Sequence, residues 1–147
     1  MSRVLAAIAQ RACLNDGAIA LSDHRFALTY GALRTAIEGA ARELFQWAPL
    51  VRPGSPIAIR LPNGPAWVIL DLALARLGWA SLPLPGFFTD EQRQHAMSDA
   101  GASLLIEAAD PGDSDIDLAG VALRVTPLAF APRVLPKDTA KITYTSG

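Results

Sequence analysis

Cysteine and charged residues are scarce in this 147-residue chain. The single cysteine, Cys13, cannot form a disulfide within the chain, which is typical of a reducing, cytoplasmic compartment. We expect it to be a half-buried helix residue rather than a nucleophile. Charged residues make up 18% of the chain, the net charge is −1, and the 13 Lys and Arg residues are scattered. Because nucleic acids and anionic membranes attract clustered basic side chains, neither is expected as a partner.

Long apolar runs and a secretion signal are also missing. Asp71 and Arg76 interrupt the most apolar stretch, so no segment predicts a membrane span. The apolar start is brief, and Arg11 closes it without a cleavage-site pattern. Yet 51% of the residues are hydrophobic and the mean hydropathy is +0.26, which is high for a domain that stands alone. We therefore expect some apolar surface to pack on further chain, or to pair isolated copies into a non-biological homodimer.

Histidine and acidic residues do not form a metal-binding pattern. His24 lies in a polar turn and His95 in a polar helix. With one cysteine and no paired ligand spacing, no metal site is predicted. Asp113, Asp115 and Asp117 alternate as calcium ligands do, but the segment lacks the bidentate glutamate that such loops require. A solvated loop is the better interpretation of these three carboxylates.

Aromatic residues stand at the ends of predicted elements. Trp47, Trp67 and Trp79 are expected to pack in the core or at an interface rather than to stack on a ligand. Phe87 and Phe88 follow two prolines, and we predict that this pair lies on the surface, as a contact for further chain or as a lid.

The hydrophobic pattern predicts an α/β fold with a small amino-terminal hairpin. Helical spacing predicts helices over 3–12, 30–47, 64–77 and 90–100, with N-caps at Thr29, Asn63 and Thr89. Alternating or short apolar segments predict strands over 18–21, 25–28, 57–61, 79–84, 103–106, 121–125 and 140–145. The acidic stretch 108–118 contains Gly and Pro, so we predict a surface loop there.

Strands and helices alternate in the middle of the chain, which favours a mostly parallel sheet flanked by helices. Ligands bind beyond the carboxyl ends of the strands in open sheets of this kind. The last predicted strand leads directly to Thr145, Ser146 and Gly147. Their hydroxyls can donate to phosphate oxygens, and glycine allows close approach of backbone amides. Alone, such a segment is more often an ordinary turn, so it is a candidate phosphate site only in context.

Five segments supply that context, and they are Thr29–Leu33, Val51–Asn63, Leu74–Leu84, Ser98–Ile106 and Ile142–Gly147. Their order and spacing resemble the amino-terminal part of the adenylate-forming (AMP-binding) superfamily. That superfamily includes acyl-CoA and aryl-CoA synthetases, luciferases and nonribosomal peptide adenylation domains. The resemblance covers the chain from about Ala20 onward. It departs from the family pattern at Ala32, where Glu is usual, at Ser55, where Asp is usual, and in the Pro83–Phe88 stretch.

The resemblance implies that a carboxylate attacks the α-phosphate of ATP, giving acyl-AMP and pyrophosphate, and that a thiol then takes the acyl group. By position, Thr145, Ser146 and Gly147 would open the loop that holds the β- and γ-phosphates. ATP and Mg²⁺ are implied for the parent enzyme, with CoA or a carrier-protein thiol as acceptor. A small carboxylic acid and the rest of the AMP-binding domain are the implied partners. No catalytic residue is expected in this chain.

Residues 1–147 are therefore expected to be the amino-terminal subdomain of an acyl- or aryl-CoA ligase, truncated inside the phosphate loop at Gly147 and inactive alone. Two alternatives stay open. One is a fragment of a nonribosomal peptide adenylation domain. The other is a short, non-catalytic binding or assembly module that keeps the same scaffold. A reading frame that continues with Ser/Thr-Thr-Gly and Pro-Lys-Gly would identify the ligase.

Overall fold

The computed structural model describes residues 2–145. Within this range the elements follow in the order α1 (Arg3–Asn15), β1 (Ile19–Ser22), β2 (Ala27–Thr29), α2 (Tyr30–Leu44), β3 (Ile57–Arg60), α3 (Pro65–Leu77), β4 (Ser81–Pro83), α4 (Asp90–Ala100), β5 (Leu104–Ala108), β6 (Ile116–Leu118) and β7 (Val121–Pro127). Two 3₁₀ segments, Phe45–Leu50 and Pro111–Asp113, follow α2 and β5. Within the described residues, no helix is both long and apolar enough to cross a membrane.

Threonine side chains cap the helices at two of the three predicted N-cap positions. The Thr29 hydroxyl accepts a hydrogen bond from the Ala32 amide at 3.1 Å. At α4 the capping box is complete: the Gln92 amide donates to the Thr89 hydroxyl, and the Thr89 amide donates to the Gln92 side chain. The prediction for α3 was wrong, because Gly64 rather than Asn63 is the N-cap residue.

The α/β class, the helix-flanked sheet and the hairpin of β1 with β2 are confirmed. The main sheet has the strand order β4-β3-β5-β7-β6. Its strands β4, β3 and β5 are parallel, as alternation of strand and helix requires. Strands β7 and β6 add an antiparallel edge, so the sheet is mixed. No α-helix lies between β5 and β7, and a chain without such a crossover can return only in the antiparallel direction.

Helices cover both faces of this sheet. Strands β4 and β5 lie on opposite sides of β3, so the two crossovers run in opposite directions. Crossovers of one hand then place α3 and α4 on opposite faces. On one face, Ile57 and Ile59 pack with α2 and α3, and α1 packs on α2. On the other, Ala58 packs with α4. The first three side chains of β3, those of Ile57, Ala58 and Ile59, are fully buried, as the apolar run predicted, and Arg60 at its end is exposed.

Three sequence predictions of local structure need correction. The 108–118 stretch is not only a loop, because its last three residues form β6, joined to β7 by Ala119 and Gly120 at positive φ. Residues 140–145 do not form a strand, and only Lys141 makes a parallel bridge, to Ser81. Cys13 on α1 is exposed rather than half-buried.

The half-buried guanidinium of Arg52 joins three parts of the chain. Its Nη atoms donate to the carbonyl oxygens of Gly101, Ala102 and Leu128 at 3.1–3.2 Å. The Ser55 hydroxyl also donates to the Gly101 carbonyl. A helix carries partial negative charge at its carboxyl end, so a cation at the end of α4 is stabilising. Arg52 thereby ties the turn before β3 to the end of α4 and to the segment after β7.

Gly101 allows the segment after β7 to lie directly on the end of α4. Its φ is +65°, and a Cβ added there would lie 2.7 Å from the Ala131 carbonyl oxygen and 2.8 Å from the Arg133 amide nitrogen. Gly78 ends α3 in the same left-handed conformation, with φ +74°, but has no atom within 4 Å of such a Cβ. The two glycines therefore share a backbone conformation and differ only in what lies beside them.

We expect Gly101→Ala to destabilise the chain by about 2–5 kcal/mol, because left-handed strain adds to the overlap with backbone atoms that cannot rotate away. Gly78→Ala is the matched control and should cost about 1–2 kcal/mol, from strain alone. The measurement is the free energy of unfolding in urea. Equal losses for the two variants would contradict the close packing of residues 131–133 on α4.

Candidate functional site

The segment that leads to Thr145 runs along the free edge of β4. The Ser81 amide donates to the Ala140 carbonyl at 3.0 Å, and the Ile142 amide donates to the Ser81 carbonyl at 2.9 Å. The bridge is parallel, so the segment proceeds toward the carboxyl ends of β4 and β3. This is the end of a parallel sheet at which ligands bind.

Lys141 holds this segment to the helix layer that contains α3. Its Nζ lies 2.9 Å from an Asp71 carboxylate oxygen and 4.9 Å from the centre of the Trp67 ring. The other Asp71 oxygen accepts a hydrogen bond from the buried Ser81 hydroxyl at 2.8 Å. The ammonium therefore has a carboxylate and an aromatic face as partners, and both orient it.

Tyr144 holds the same segment to α4, on the opposite face of the sheet. Its hydroxyl donates to Asp99 Oδ2 at 2.6 Å, and its ring meets the His95 ring edge-on, with centroids 6.5 Å apart. Asp99 Oδ1 accepts from Arg133 at 2.8 Å, and Arg133 Nε also donates to the Asp99 backbone carbonyl at 2.7 Å. The carboxylate therefore bridges the segment before Thr145 and the segment after β7.

The two partners in this hydrogen bond shift each other's pKa in opposite directions. Hydrogen bonds from Tyr144 and then from Arg133 hold the pKa of the Asp99 carboxyl below its usual value. Burial, followed by the hydrogen bond to Asp99 and its charge, raises the pKa of Tyr144 to about 12. At neutral pH the site therefore contains a neutral phenol donating to an ionised carboxylate.

Thr145 is the one predicted phosphate contact within the described residues, since Ser146 and Gly147 lie outside them. It is exposed and lines a cleft of about 420 Å³ next to the first turns of α4. The residues that share this cleft with Thr145 are Phe88, Thr89, Glu91, Gln92, His95, Ala96 and Tyr144. The phosphate role of Thr145, Ser146 and Gly147 stays a prediction.

A larger cleft of about 780 Å³ opens beyond the carboxyl ends of β3, β4 and β5. Arg60 and Glu107, neighbours at the ends of β3 and β5, line it and pair at 3.4 Å, and Trp67 and Phe87 contribute aromatic surface. Phe87 is 73% exposed, as predicted, but Phe88 is only 7% exposed and packs in the core beneath α4. The prediction of a surface pair was therefore half wrong, because the turn before Thr89 directs the second ring inward.

The acidic residues that resembled a calcium loop serve the β6–β7 edge instead. Asp115 accepts a hydrogen bond from the Val125 amide at 2.7 Å, and Asp113 pairs with Arg124. Asp117 is exposed on β6. Across residues 2–145, His, Cys, Asp and Glu nowhere form a group of three that could hold a metal.

Sequence reasoning did not find Asp99, Arg133 or Lys141 as parts of this site. Asp99 lay in one of the five resembling segments, but no pattern linked it to a tyrosine 45 positions later. Lys141 immediately precedes the last of those segments and lies 70 positions from its partner Asp71. Only the packing of α3 and α4 on opposite faces of the sheet brings these pairs together.

Comparisons with known proteins agree with one another. A protein-family model described as AMP-binding enzyme matches residues 8–147. Enterobactin synthase component F of Escherichia coli O157:H7 is 32% identical over 149 residues, covering 97% of this chain and 11% of that protein. Feruloyl-CoA synthase of Amycolatopsis sp is 31% identical over 147 residues, covering 94% of this chain and 30% of that protein. The chain thus spans about a tenth to under a third of these relatives.

A solved structure shares the fold. O-succinylbenzoate coenzyme A synthetase of Bacillus subtilis, in complex with ATP and a magnesium ion, superposes with a TM-score of 0.63 at 27% identity. The match covers 69% of this chain and 27% of that one.

We expect Tyr144 to titrate about two pH units above an ordinary tyrosine, whose pKa is 10.0. The chain has two tyrosines, so the tyrosinate absorbance of a Tyr30→Phe variant reports on Tyr144 alone. Asp99→Asn should lower this pKa only partly, because burial is the larger cause. Since the folded-state pKa exceeds the unfolded one, Tyr144 stabilises the fold below pH 10.0 and loses that contribution as pH rises through about 12.

The Tyr30→Phe variant unfolded in urea is the control, and its Tyr144 should titrate near the ordinary tyrosine pKa of 10.0. A native-state titration that coincides with the urea control would show that Tyr144 is not buried against Asp99.

Proposed function

The chain belongs to the AMP-binding enzyme family, and from that premise we propose that it is the amino-terminal part of an AMP-forming acid–thiol ligase. The parent enzyme would join a small carboxylic acid to ATP, giving acyl-AMP and pyrophosphate, and then transfer the acyl group to a thiol. The observation that carries this proposal is the family match, which extends to Gly147 and so includes the candidate phosphate segment.

In that reaction, the role we propose for this chain is to position part of the phosphate loop. The segment at the edge of β4 delivers Thr145 to the carboxyl ends of the parallel strands, where its exposed hydroxyl can donate to a phosphate oxygen. We assign Thr145, Ser146 and Gly147 to the start of the phosphate loop, and we assign no catalytic residue to this chain. Phosphoryl chemistry requires neutralisation of charge from several directions, and one rim of one loop does not supply it.

Magnesium, when bound, would neutralise charge on the phosphates of ATP. Among the residues that line the cleft beside Thr145, Glu91 is the one carboxylate, and within residues 2–145 no group of three His, Cys, Asp or Glu side chains could hold a metal ion. We therefore propose that residues outside this chain hold the metal, and that the chain contributes hydroxyl and backbone donors.

The acceptor thiol separates two forms of the proposal. The 31% identity to feruloyl-CoA synthase favours CoA, whereas the 32% identity to enterobactin synthase component F favours a peptide-synthetase adenylation domain that loads a carrier-protein thiol. Both forms share the first half-reaction. Incubating the full gene product with a carboxylic acid, ATP, and either CoA or a carrier protein distinguishes them by which thioester forms. A cytoplasmic location is part of the same proposal.

We expect the 147-residue chain alone to catalyse no carboxylate-dependent exchange of pyrophosphate into ATP and to bind ATP no tighter than millimolar.

In the full gene product, Thr145→Ala should lower kcat/KM for ATP by roughly tenfold to a hundredfold, because one donor to a phosphate is lost. Thr143→Ala removes another exposed hydroxyl two positions earlier and should change kcat/KM for ATP less than about twofold.

Exchange activity in the isolated chain would refute the proposed positioning role. A full gene product that carries out no exchange with any of a broad set of carboxylic acids would instead favour the non-catalytic module.

A further inference from the structure

Few backbone contacts hold the residues just before Thr145. The sheet pairs with this segment only through the bridge at Lys141, and residues 142–145 continue without a ladder. The segment alternates as a strand does, with Lys141 directed to the α3 side and Ile142 and Tyr144 packed in the α4 side of the core. Side-chain contacts must therefore decide where Thr145 lies.

Among the side-chain hydrogen bonds described, the one nearest to Thr145 in sequence is that between Tyr144 and Asp99. Its length of 2.6 Å is typical of a hydroxyl donating to a carboxylate. Lys141, by contrast, is anchored four positions earlier. Because Tyr144 directly precedes Thr145, a substitution of Asp99 that moves Tyr144 also moves Thr145.

The Asp99 carboxylate is itself held in place. Arg133 donates to Asp99 Oδ1 and to the Asp99 backbone carbonyl, and this two-point contact orients the Asp99 side chain. The Arg133 backbone can lie this close to the end of α4 because Gly101 has no side chain. A neutral phenol thus meets a carboxylate that Arg133 orients.

We propose that Asp99 is a positioning residue for the phosphate segment, acting through the Tyr144 hydroxyl to hold Thr145 at the carboxyl ends of the strands. This inference rests on the proposed function for its consequence in catalysis. Reactions that depend on placement lose rate when a supporting contact is removed, even if the reacting groups themselves are intact. Asp99 touches neither ATP nor the carboxylic acid in this assignment.

The test uses Asp99→Ala, Tyr144→Phe and the double variant in the full gene product. Each single variant should lower kcat for pyrophosphate exchange by about tenfold, and the double variant should be no slower than the slower single variant, because both break the same bond. KM for the carboxylic acid should stay within about twofold. Asp99→Asn keeps an oxygen that can accept from Tyr144 and should recover part of the rate.

Asp115→Ala is the matched control. It removes an aspartate that accepts one hydrogen bond of 2.7 Å, from the Val125 amide at the far edge of the sheet. Asp115→Ala should lower the Tm about as much as Asp99→Ala does, while kcat stays within about twofold of the wild-type value. If Asp115→Ala lowers kcat as much as Asp99→Ala does, the effect is general destabilisation and the proposal is overturned.

Amide hydrogen exchange gives a readout that does not depend on activity. Exchange at the Ile142 and Ser81 amides, which pair this segment with β4, should accelerate in Asp99→Ala and Tyr144→Phe and not in Asp115→Ala. Unchanged exchange at these amides overturns the proposal, as do additive effects in the double variant. A wild-type protein without pyrophosphate-exchange activity refutes the proposed function instead. The amide hydrogen exchange of the variants then decides on its own whether Asp99 holds this segment.

Discussion

Arg52 brings together three segments that are far apart in sequence. Its guanidinium binds the carbonyls of Gly101 and Ala102 at the end of α4 and that of Leu128 after β7. The carbonyls of Gly101 and Ala102 lie at the negative end of α4, and a half-buried cation needs such partners because desolvation would otherwise be costly. Once this contact forms, the chain that leaves β7 must run across the end of α4.

That path determines how the chain reaches the candidate site. Gly101 lets residues 131–133 lie against the helix end, Arg133 then contacts Asp99, and Asp99 accepts from Tyr144 one residue before Thr145. On the other face, Lys141 reaches Asp71 on α3. The segment is thus held from both faces of the sheet by charged or polar groups, where a longer strand would have used backbone pairing.

Such an arrangement suits a scaffold that presents a loop. The parallel strands β4, β3 and β5 form the centre of the sheet, and the segment that ends at Thr145 passes their carboxyl ends, where ligands bind in sheets of this kind. Family membership and the shared fold agree with this division of roles. In the proposed ligase, this chain contributes placement, and the groups that neutralise charge and select the carboxylic acid come from further chain.

Local features of this protein were determined by its sequence alone. The caps at Thr29 and at Thr89 with Gln92, the buried run of β3 and the amino-terminal hairpin each depend on residues within a few positions of one another, so pattern and propensity suffice. The family was also indicated at this level, because the order and spacing of five segments are properties of the linear chain.

Tertiary structure decided what those patterns could not. Strand β6 was missed because Ala119 and Gly120 are not a strong turn signal, and it exists only because β7 offers it a partner. The predicted strand at 140–145 is reduced to one bridge because Pro83, two residues after the bridged Ser81, has no N–H to donate to it. Phe88, Asp99 and Lys141 acquired their roles from helices packed on opposite faces of the sheet, and contacts between residues 45 and 70 positions apart leave no periodic trace in a sequence.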